Sequence, residues 1–190
     1  MKISERLQKL RHKLAERGVD AILISQPENR RYLSGFNGST GYLLITGQDA
    51  ILATDFRYVE QAEKQAPDYY ISQINSSMDN WLPKLVETSG LKRLGFEAGC
   101  TSFAEYSQLS DAMDNTQFQT GLVPIDGIVE SIRVVKEAEE IALITKAAGI
   151  SDHAFEHIQD IIHPGMTEKE VVWEIEKTMR ESGSEPMPFD

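Results

Sequence analysis

The sequence predicts an α/β domain with a mixed sheet flanked by helices, followed by a helical segment that belongs to a second folding unit. Strand and helix patterns alternate over residues 1–125, which is typical of a sheet with helices on its faces. Two strand patterns, at residues 41–46 and 50–54, are separated only by a turn-forming Gly-Gln-Asp, and this predicted hairpin makes the sheet mixed. After residue 125 the strand pattern disappears and helical spacing takes over. We therefore place the domain boundary between residues 125 and 126.

The elements of the first domain follow from apolar spacing and turn residues. Apolar residues at helical spacing over residues 3–14 predict a first helix that Gly18 ends, and residues 21–24 predict a buried strand. After the hairpin, Asp55 is the predicted cap of a helix that runs to about Ala66. The remaining predicted elements are helices at residues 27–32, 80–89 and 102–113 and strands at residues 69–74, 93–97 and 118–123.

The second folding unit begins with a long apolar stripe at helical spacing. It runs from Ile141 to Ile162, roughly 22 residues or about 33 Å of helix. Pro164 and Gly165 interrupt the pattern, and residues 167–170 form a capping box that begins another helix. Two helices side by side leave one apolar face of each uncovered. We therefore expect the opening of a domain whose remaining parts, including any catalytic machinery, lie beyond Asp190.

Composition excludes several classes of partner. The formal net charge of −11 argues against nucleic acid and anionic membranes, while 41% apolar residues suffice for a core. No apolar run approaches the roughly 20 residues that span a bilayer, and the N-terminus lacks the apolar core of a signal peptide. Cys100 is the single cysteine of the sequence, which excludes an intramolecular disulfide and a cysteine zinc site. We expect a cytoplasmic protein.

Three patterns suggest chemistry, and each also has a plainer interpretation. Residues 153–157 (H-A-F-E-H) match the H-x-x-E-H pattern of zinc peptidases, but no third ligand is evident, and surface histidines are the favoured interpretation. Residues 35–41 are glycine-rich without the lysine of a Walker loop or the context of a dinucleotide loop. They form either a loop leading into a strand or a loop near a substrate mouth. Residues 55–58 (D-F-R-Y) are either a ligand-binding cluster or a helix cap with an exposed pair between Arg57 and Gln61.

Four segments resemble the creatinase/prolidase (M24) family, and they occur in the family's order. Residues 29–39 (N-R-R-Y-L-S-G-F-N-G-S) resemble the N-R-Y-L-T-G-F-x-G-S segment of its N-terminal domain, and residues 54–62 resemble its T-D-x-R-Y-x-x-Q-A segment. Residues 133–141 are similar to the R-x-x-K-x-x-x-E-I that opens the catalytic domain, and residues 164–168 match its P-G-M-T-E turn. The resemblance spans nearly the whole chain and is greatest to bacterial Xaa-Pro peptidases of the aminopeptidase P and Xaa-Pro dipeptidase types.

The resemblance implies that residues 1–125 are the N-terminal α/β domain of this family. Residues 126–190 are then the linker and opening helices of a pita-bread metallopeptidase domain. Family enzymes bind two divalent metals, commonly manganese or cobalt, which activate a water that attacks the peptide bond before proline. The family's ligand-bearing segments are expected downstream of Asp190, so we expect no metal ligand, no catalytic residue and no activity in this chain alone. We expect the full-length protein to be a homodimer that acts on peptides with proline at the second position.

The resemblance also implies a role for the N-terminal domain in dimerisation and in narrowing the active-site entrance of the neighbouring subunit. By that resemblance Tyr32, Phe36, Arg57 and Tyr58 are expected near the substrate mouth. Arg57 has an alternative role as the structural partner of Asp55. Two other functions fit the same layout: a non-catalytic module that binds peptides or proteins, as in histone chaperones, and a creatinase-like hydrolase of another C–N bond.

Overall fold

The structure, a computed structural model, describes residues 3–75, 77–117 and 119–185. The chain forms two compact units, residues 1–135 and 136–190. The second unit contains α7 (Ala138–Ile161) and α8 (Glu168–Glu181). The first contains helices α1 to α6 at Ile3–Glu16, Pro27–Ser34, Val59–Gln65, Met78–Thr88, Phe103–Asp114 and Glu130–Arg133, and strands β1 to β6 at Ala21–Ile24, Tyr42–Thr46, Ala50–Thr54, Tyr70–Gln73, Arg93–Glu97 and Gly121–Ile125.

The six strands form one mixed sheet in the order β4-β3-β2-β1-β5-β6. Strand β2 pairs antiparallel with β1 and β3, and the other neighbouring pairs are parallel. The predicted hairpin and the predicted mixed α/β sheet are therefore confirmed. Because β2 runs opposite to the other five strands of this sheet, their carboxyl ends and the start of β2 lie along the same edge. We call this the carboxyl edge.

The central strands β1, β2 and β3 are buried on both faces of the sheet because they carry apolar residues at consecutive positions. In β1, Ile22 and Ile24 belong to the core covered by α1, α2, α3 and α6, whereas Ala21 and Leu23 belong to the core covered by α4 and α5. Successive strand side chains point to opposite faces, so this four-residue apolar run requires helices on both sides. Burying one such Leu or Ile side chain contributes about 2 kcal/mol.

Residues 126–135 pack with the first unit. Ile128, Val129 and Ile132 are buried in the same core as α1. The compact unit therefore extends to residue 135, whereas the strand pattern in the sequence ends at residue 125. The apolar residues that follow β6 are removed from water by packing against the face of the sheet that carries α1.

Helix α3 begins later than the sequence predicts, and the prediction that Asp55 caps it is wrong. Its first residue is Val59, and Tyr58 at the N-cap position forms no side-chain cap bond. The Arg57 backbone N–H instead donates to Asp55 Oδ1 at 2.9 Å, which makes a side-chain turn two residues ahead of the helix. Strand β6 begins at Gly121. The predicted start of that strand, Phe118, lies outside the described residues.

The second unit is a pair of helices with much apolar surface. The predicted capping box of α8 is confirmed, with Thr167 and Glu170 satisfying each other's backbone N–H groups. Ala154 and Ile158 of α7 are buried, but Phe155 is 62% exposed. Within the described ranges of the chain, none of the helices combines the length and hydrophobicity that a membrane crossing requires.

Candidate functional site

Residues 35–41, which we call the glycine loop, connect α2 to β2 and pack around one aromatic ring. The Phe36 side chain is fully buried, and Gly38 lies so close to it that a Cβ there would stand 2.2 Å from Phe36 Cζ. Gly35 has φ +80° and ends α2 in the left-handed conformation that favours glycine. Gly35 is thus explained by the helix end and Gly38 by the close approach to the ring, and Phe36 forms the interior of the loop.

The outer side of the glycine loop is attached to α3 and to the turn before it. Ser39 Oγ and the Tyr58 hydroxyl are 2.7 Å apart, and Gln61 Nε2 donates to Asn37 Oδ1 at 2.7 Å. The Phe36 and Tyr58 rings meet edge to face, with centroids 6.1 Å apart. Asn37 and Ser39 are exposed while Phe36 is not. Polar side chains of this loop therefore face solvent, while the buried Phe36 ring lies beneath them.

Arg57 forms a bidentate ion pair with Asp55 at the same place. Arg57 Nε and Nη2 donate to the two Asp55 carboxylate oxygens at 3.0 Å and 2.7 Å, and the guanidinium carbon lies 5.5 Å from the Tyr58 ring centroid. Hydrogen bonding from Arg57 lowers the pKa of Asp55, and the same carboxylate raises the pKa of Arg57. Arg57 therefore forms the ion pair with Asp55 that the sequence indicated as its alternative role. The guanidinium is held in one orientation while it remains exposed.

The structure brings three of the four predicted mouth residues together and separates the fourth. Phe36, Tyr58 and Arg57 form one continuous cluster through ring and cation contacts. Tyr32 is buried elsewhere, with the guanidinium carbon of Arg6 4.0 Å above its ring. Their location at a substrate mouth stays a prediction.

An open groove lies beside the Asp55–Arg57 pair at the carboxyl edge of the sheet. We call it the edge groove. Its volume is about 740 Å³, and its floor includes Tyr42 and Trp81, whose rings are 5.5 Å apart. Phe56 stands on its rim with 71% of its surface exposed. In sheets of this kind ligands bind outside the carboxyl ends of the strands, and a groove lined by aromatic rings and a fixed ion pair suits a small amphipathic ligand. The lining residues are Thr40, Tyr42, Asp55, Phe56, Arg57, Ile74, Asn75, Ser77, Met78, Trp81 and Gln108.

A buried polar network at the same edge was missed by the sequence reasoning. Glu97, at the end of β5, accepts from the backbone N–H groups of Ser25 and Gln26 at 2.7 Å and 2.8 Å. Asn29 Nδ2 donates to Glu97 Oε1 at 2.7 Å, and Arg133 Nη1 donates to Asn29 Oδ1 at 2.7 Å. The network joins α2, β5 and α6, so its role is to hold these elements together. A signal was present in the sequence, because Asn29 opens the segment that resembles the family.

A smaller cavity of about 200 Å³ borders this network and contains the cysteine. Cys100 lies at the exposed side of this cavity, and its partial desolvation, together with the nearby Glu97 carboxylate, raises the pKa of the thiol. The side chain therefore stays a protonated thiol at neutral pH, which is the less nucleophilic form.

The H-x-x-E-H pattern does not assemble a metal site in the described structure. His157 Nε2 lies 3.6 Å from Glu174 Oε2 on α8. Within residues 3–75, 77–117 and 119–185, no three His, Cys, Asp or Glu side chains converge as metal ligands would. Zinc sites in proteins use three or four protein ligands. The histidines of this pattern therefore do not form a zinc site with other described residues.

Comparison with known proteins matches each of the two units to a protein-family model. Residues 6–135 match the creatinase/prolidase N-terminal domain, and residues 142–190 match metallopeptidase family M24. A protein named as an uncharacterized peptidase in Bacillus subtilis (strain 168) is 38% identical over 185 residues, covering 97% of this chain and 51% of the relative.

Solved structures of Xaa-Pro peptidases have the same architecture. An Xaa-Pro dipeptidase from Bacillus anthracis is 38% identical with a TM-score of 0.91, covering 100% of this chain and 52% of that one. An X-Pro aminopeptidase from Thermotoga maritima MSB8 is 33% identical with a TM-score of 0.80, covering 93% of this chain and 51% of that one. The chain spans about half the length of these relatives. A match over residues 6–135 and a likeness along nearly the whole length show that the chain belongs to the creatinase/prolidase family.

Proposed function

We propose that this chain is the N-terminal half of a metal-dependent, cytoplasmic Xaa-Pro peptidase that cleaves the bond before proline. Residues 1–125 serve dimerisation and access to the active site. The observation that carries the proposal is that the whole chain superposes, at a TM-score of 0.91, on about half of an Xaa-Pro dipeptidase. The substrate is a peptide with proline at its second position.

The edge groove and the glycine loop are the parts of this chain that we propose act on access. The aromatic rings of the groove favour the apolar proline ring, and the fixed Arg57 guanidinium favours a carboxylate. A rim that is already ordered loses little conformational entropy when a peptide enters, so it discriminates by shape at small cost. These residues select and orient the peptide, and we assign no chemical step to them.

The metal-dependent step belongs to the remainder of the longer protein. The described residues supply no set of ligands for a divalent ion. We propose manganese or cobalt, two ions per subunit, as the metals of the full-length enzyme. This chain alone is then expected to have no peptidase activity.

The test is an activity assay of the full-length gene product with and without a chelator. We expect hydrolysis of Xaa-Pro dipeptides or of longer Xaa-Pro peptides in the presence of manganese or cobalt, and loss of hydrolysis after metal removal. Sedimentation of the same protein should give the mass of a homodimer. Failure to cleave any Xaa-Pro peptide with either metal would refute the enzymatic proposal. Peptide binding without cleavage would favour a binding module, and cleavage of creatine would favour a creatinase-like hydrolase.

The access role has its own matched variants. Arg57→Ala in the full-length enzyme should raise KM for an Xaa-Pro substrate about tenfold, since one charged contact to the substrate is worth about that factor. Lys64→Ala is the control, because Lys64 is also an exposed cation paired with a carboxylate, that of Glu60 one helical turn away. An equal KM in both variants would contradict the proposed role of Arg57.

A further inference from the structure

The glycine loop is held from inside by a buried arginine. Arg30 of α2 is 2% exposed. Its Nη1 donates to the Gly41 carbonyl and its Nη2 to the Gly38 carbonyl, both at 2.6 Å. The guanidinium carbon also lies 5.7 Å from the centroid of the Phe36 ring, within the range of a cation–π contact. The Arg30 side chain therefore contacts the buried Phe36 ring and the carbonyls of Gly38 and Gly41.

Burying the Arg30 guanidinium costs desolvation free energy. Arginine remains charged in proteins, and a buried charge is unfavourable unless it is well hydrogen-bonded. Burial lowers the pKa of Arg30, which reports the same desolvation. Across the described parts of the chain, Arg30 forms no salt bridge. Its two short bonds to the loop carbonyls stabilise the charge directly, and the Glu28 and Glu97 carboxylates favour it at longer range.

The geometry of the guanidinium explains why arginine suits this position. Gly38 and Gly41 are three residues apart, and their carbonyls converge on two nitrogens of the same planar group. A rigid planar fork fixes the distance and direction between two acceptors, whereas an ammonium group is a compact point charge. Buried backbone carbonyls need donors, and the curve of this loop leaves these two directed at Arg30.

We infer that Arg30 is a positioning residue, which sets the curvature of the glycine loop and thereby the place where Asn37 and Ser39 project beside Tyr58. The inference rests on the proposed function in one respect: that this loop borders the entrance used by the peptide. The loop has a buried inner side and an exposed outer side. A change at Arg30 is therefore transmitted to the exposed side without Arg30 touching the substrate.

The first variant is Arg30→Lys, which keeps the positive charge but not the planar guanidinium. The second is Arg30→Met, which removes both hydrogen bonds and replaces arginine with an uncharged, unbranched side chain. The chain offers a matched control in Arg11, whose Nε and Nη2 donate to the carbonyls of Thr46 and Gln48 at 3.0 Å and 2.7 Å. Arg11→Met removes the same type of two-carbonyl clamp from the β2–β3 turn, at the opposite edge of the sheet.

The first readout is amide hydrogen exchange in the full-length protein. The amides of Phe36 and Asn37 donate to Ser34 Oγ and Gln65 Oε1. We expect them to exchange at least about tenfold faster in Arg30→Lys and faster again in Arg30→Met, because each lost bond from the charged Arg30 donor weakens local closure of the loop. Arg11→Met should accelerate exchange only around residues 46–49. If Arg30→Met does not fold, Arg30→Lys decides the question. Unchanged exchange of the loop in Arg30→Lys would overturn the inference.

The second readout is whether the substitution changes KM or kcat of the full-length enzyme. We expect Arg30→Lys to raise KM for an Xaa-Pro dipeptide by about fivefold to tenfold while kcat changes by less than about twofold, since a displaced entrance weakens binding rather than the chemical step. Arg11→Met should alter neither. Faster loop exchange with an unchanged KM would overturn the positioning role. If the wild-type protein cleaves no Xaa-Pro peptide, the proposed function fails, while the exchange measurement still decides whether Arg30 holds the loop.

Discussion

Replacing Gly38 by alanine tests whether the Phe36 ring is the interior of the glycine loop. A Cβ at this position would lie 2.2 Å from Phe36 Cζ and 2.9 Å from both Cε atoms. Carbon atoms in contact are normally at least about 3.5 Å apart, so the ring would have to move by roughly 1 Å or more. Gly38 is not among the glycines with positive φ, so the backbone accepts alanine and the cost comes from overpacking. We expect the free energy of unfolding to fall by about 2 to 3 kcal/mol.

The assay is urea unfolding followed by the fluorescence of Trp81. A Trp173→Phe background removes the other tryptophan, which lies in the second unit, so that only the unit carrying the loop reports. Gly47→Ala is the matched control, because Gly47 also has no positive φ and nothing lies within 4 Å of its Cβ position. We expect this control to change the free energy of unfolding by less than about 0.5 kcal/mol.

A second substitution identifies the ring as the cause. In a Phe36→Leu background the shorter side chain leaves room for the new methyl group, so Gly38→Ala should cost at least about 1 kcal/mol less than in the wild-type background. A cost below about 0.5 kcal/mol for Gly38→Ala in the wild-type background would refute the expected clash with Phe36. An equal cost in both backgrounds would show that Phe36 is not the group displaced.

Two further predictions concern buried polar groups. Glu97→Gln places an amide donor against the Ser25 and Gln26 N–H groups or against Asn29, so the free energy of unfolding in urea should fall by about 2 to 3 kcal/mol; a change below about 0.5 kcal/mol would contradict the network. Burial raises the pKa of Tyr69, whose hydroxyl donates to a backbone carbonyl at 3.0 Å. Its contribution is therefore complete below the unfolded pKa of about 10 and is lost as the pH rises toward the folded pKa. Above pH 10 the wild type should lose stability more steeply than Tyr69→Phe, by about 1 kcal/mol per pH unit, and parallel pH profiles would contradict this.

The fold was predictable because its signals are local. The apolar run of β1, the hairpin between β2 and β3, and the capping box at Thr167 are each written in a few neighbouring residues, and the structure confirms them. The start of α3 was not predicted correctly. Asp55 is a good capping residue by type, but its carboxylate is already engaged by Arg57, so the chain turns before the helix begins.

The candidate site was predictable only in part. The resemblance selected Phe36, Arg57 and Tyr58, and the structure places them in one cluster. The family resemblance did not distinguish a buried aromatic ring from an exposed one. A motif specifies which residue types occur, but not the direction in which their side chains point. Tyr32 illustrates this, since it stands four residues before Phe36 but packs beneath Arg6 of α1.

The sequence by itself determined which strands and helices follow one another along residues 1–125, that the sheet is mixed, and which family the chain resembles. Apolar spacing, turn residues and motifs are local properties of the chain, so they can be recognised without the structure. Only the tertiary structure decided that Arg30 holds the glycine loop, that Glu97 gathers Ser25, Gln26 and Asn29, and that a groove opens beside Arg57. The Glu97 bonds join residues about 70 positions apart. Such partners are selected by which strands become neighbours in the sheet, and hydrophobic burial of the whole domain fixes that arrangement.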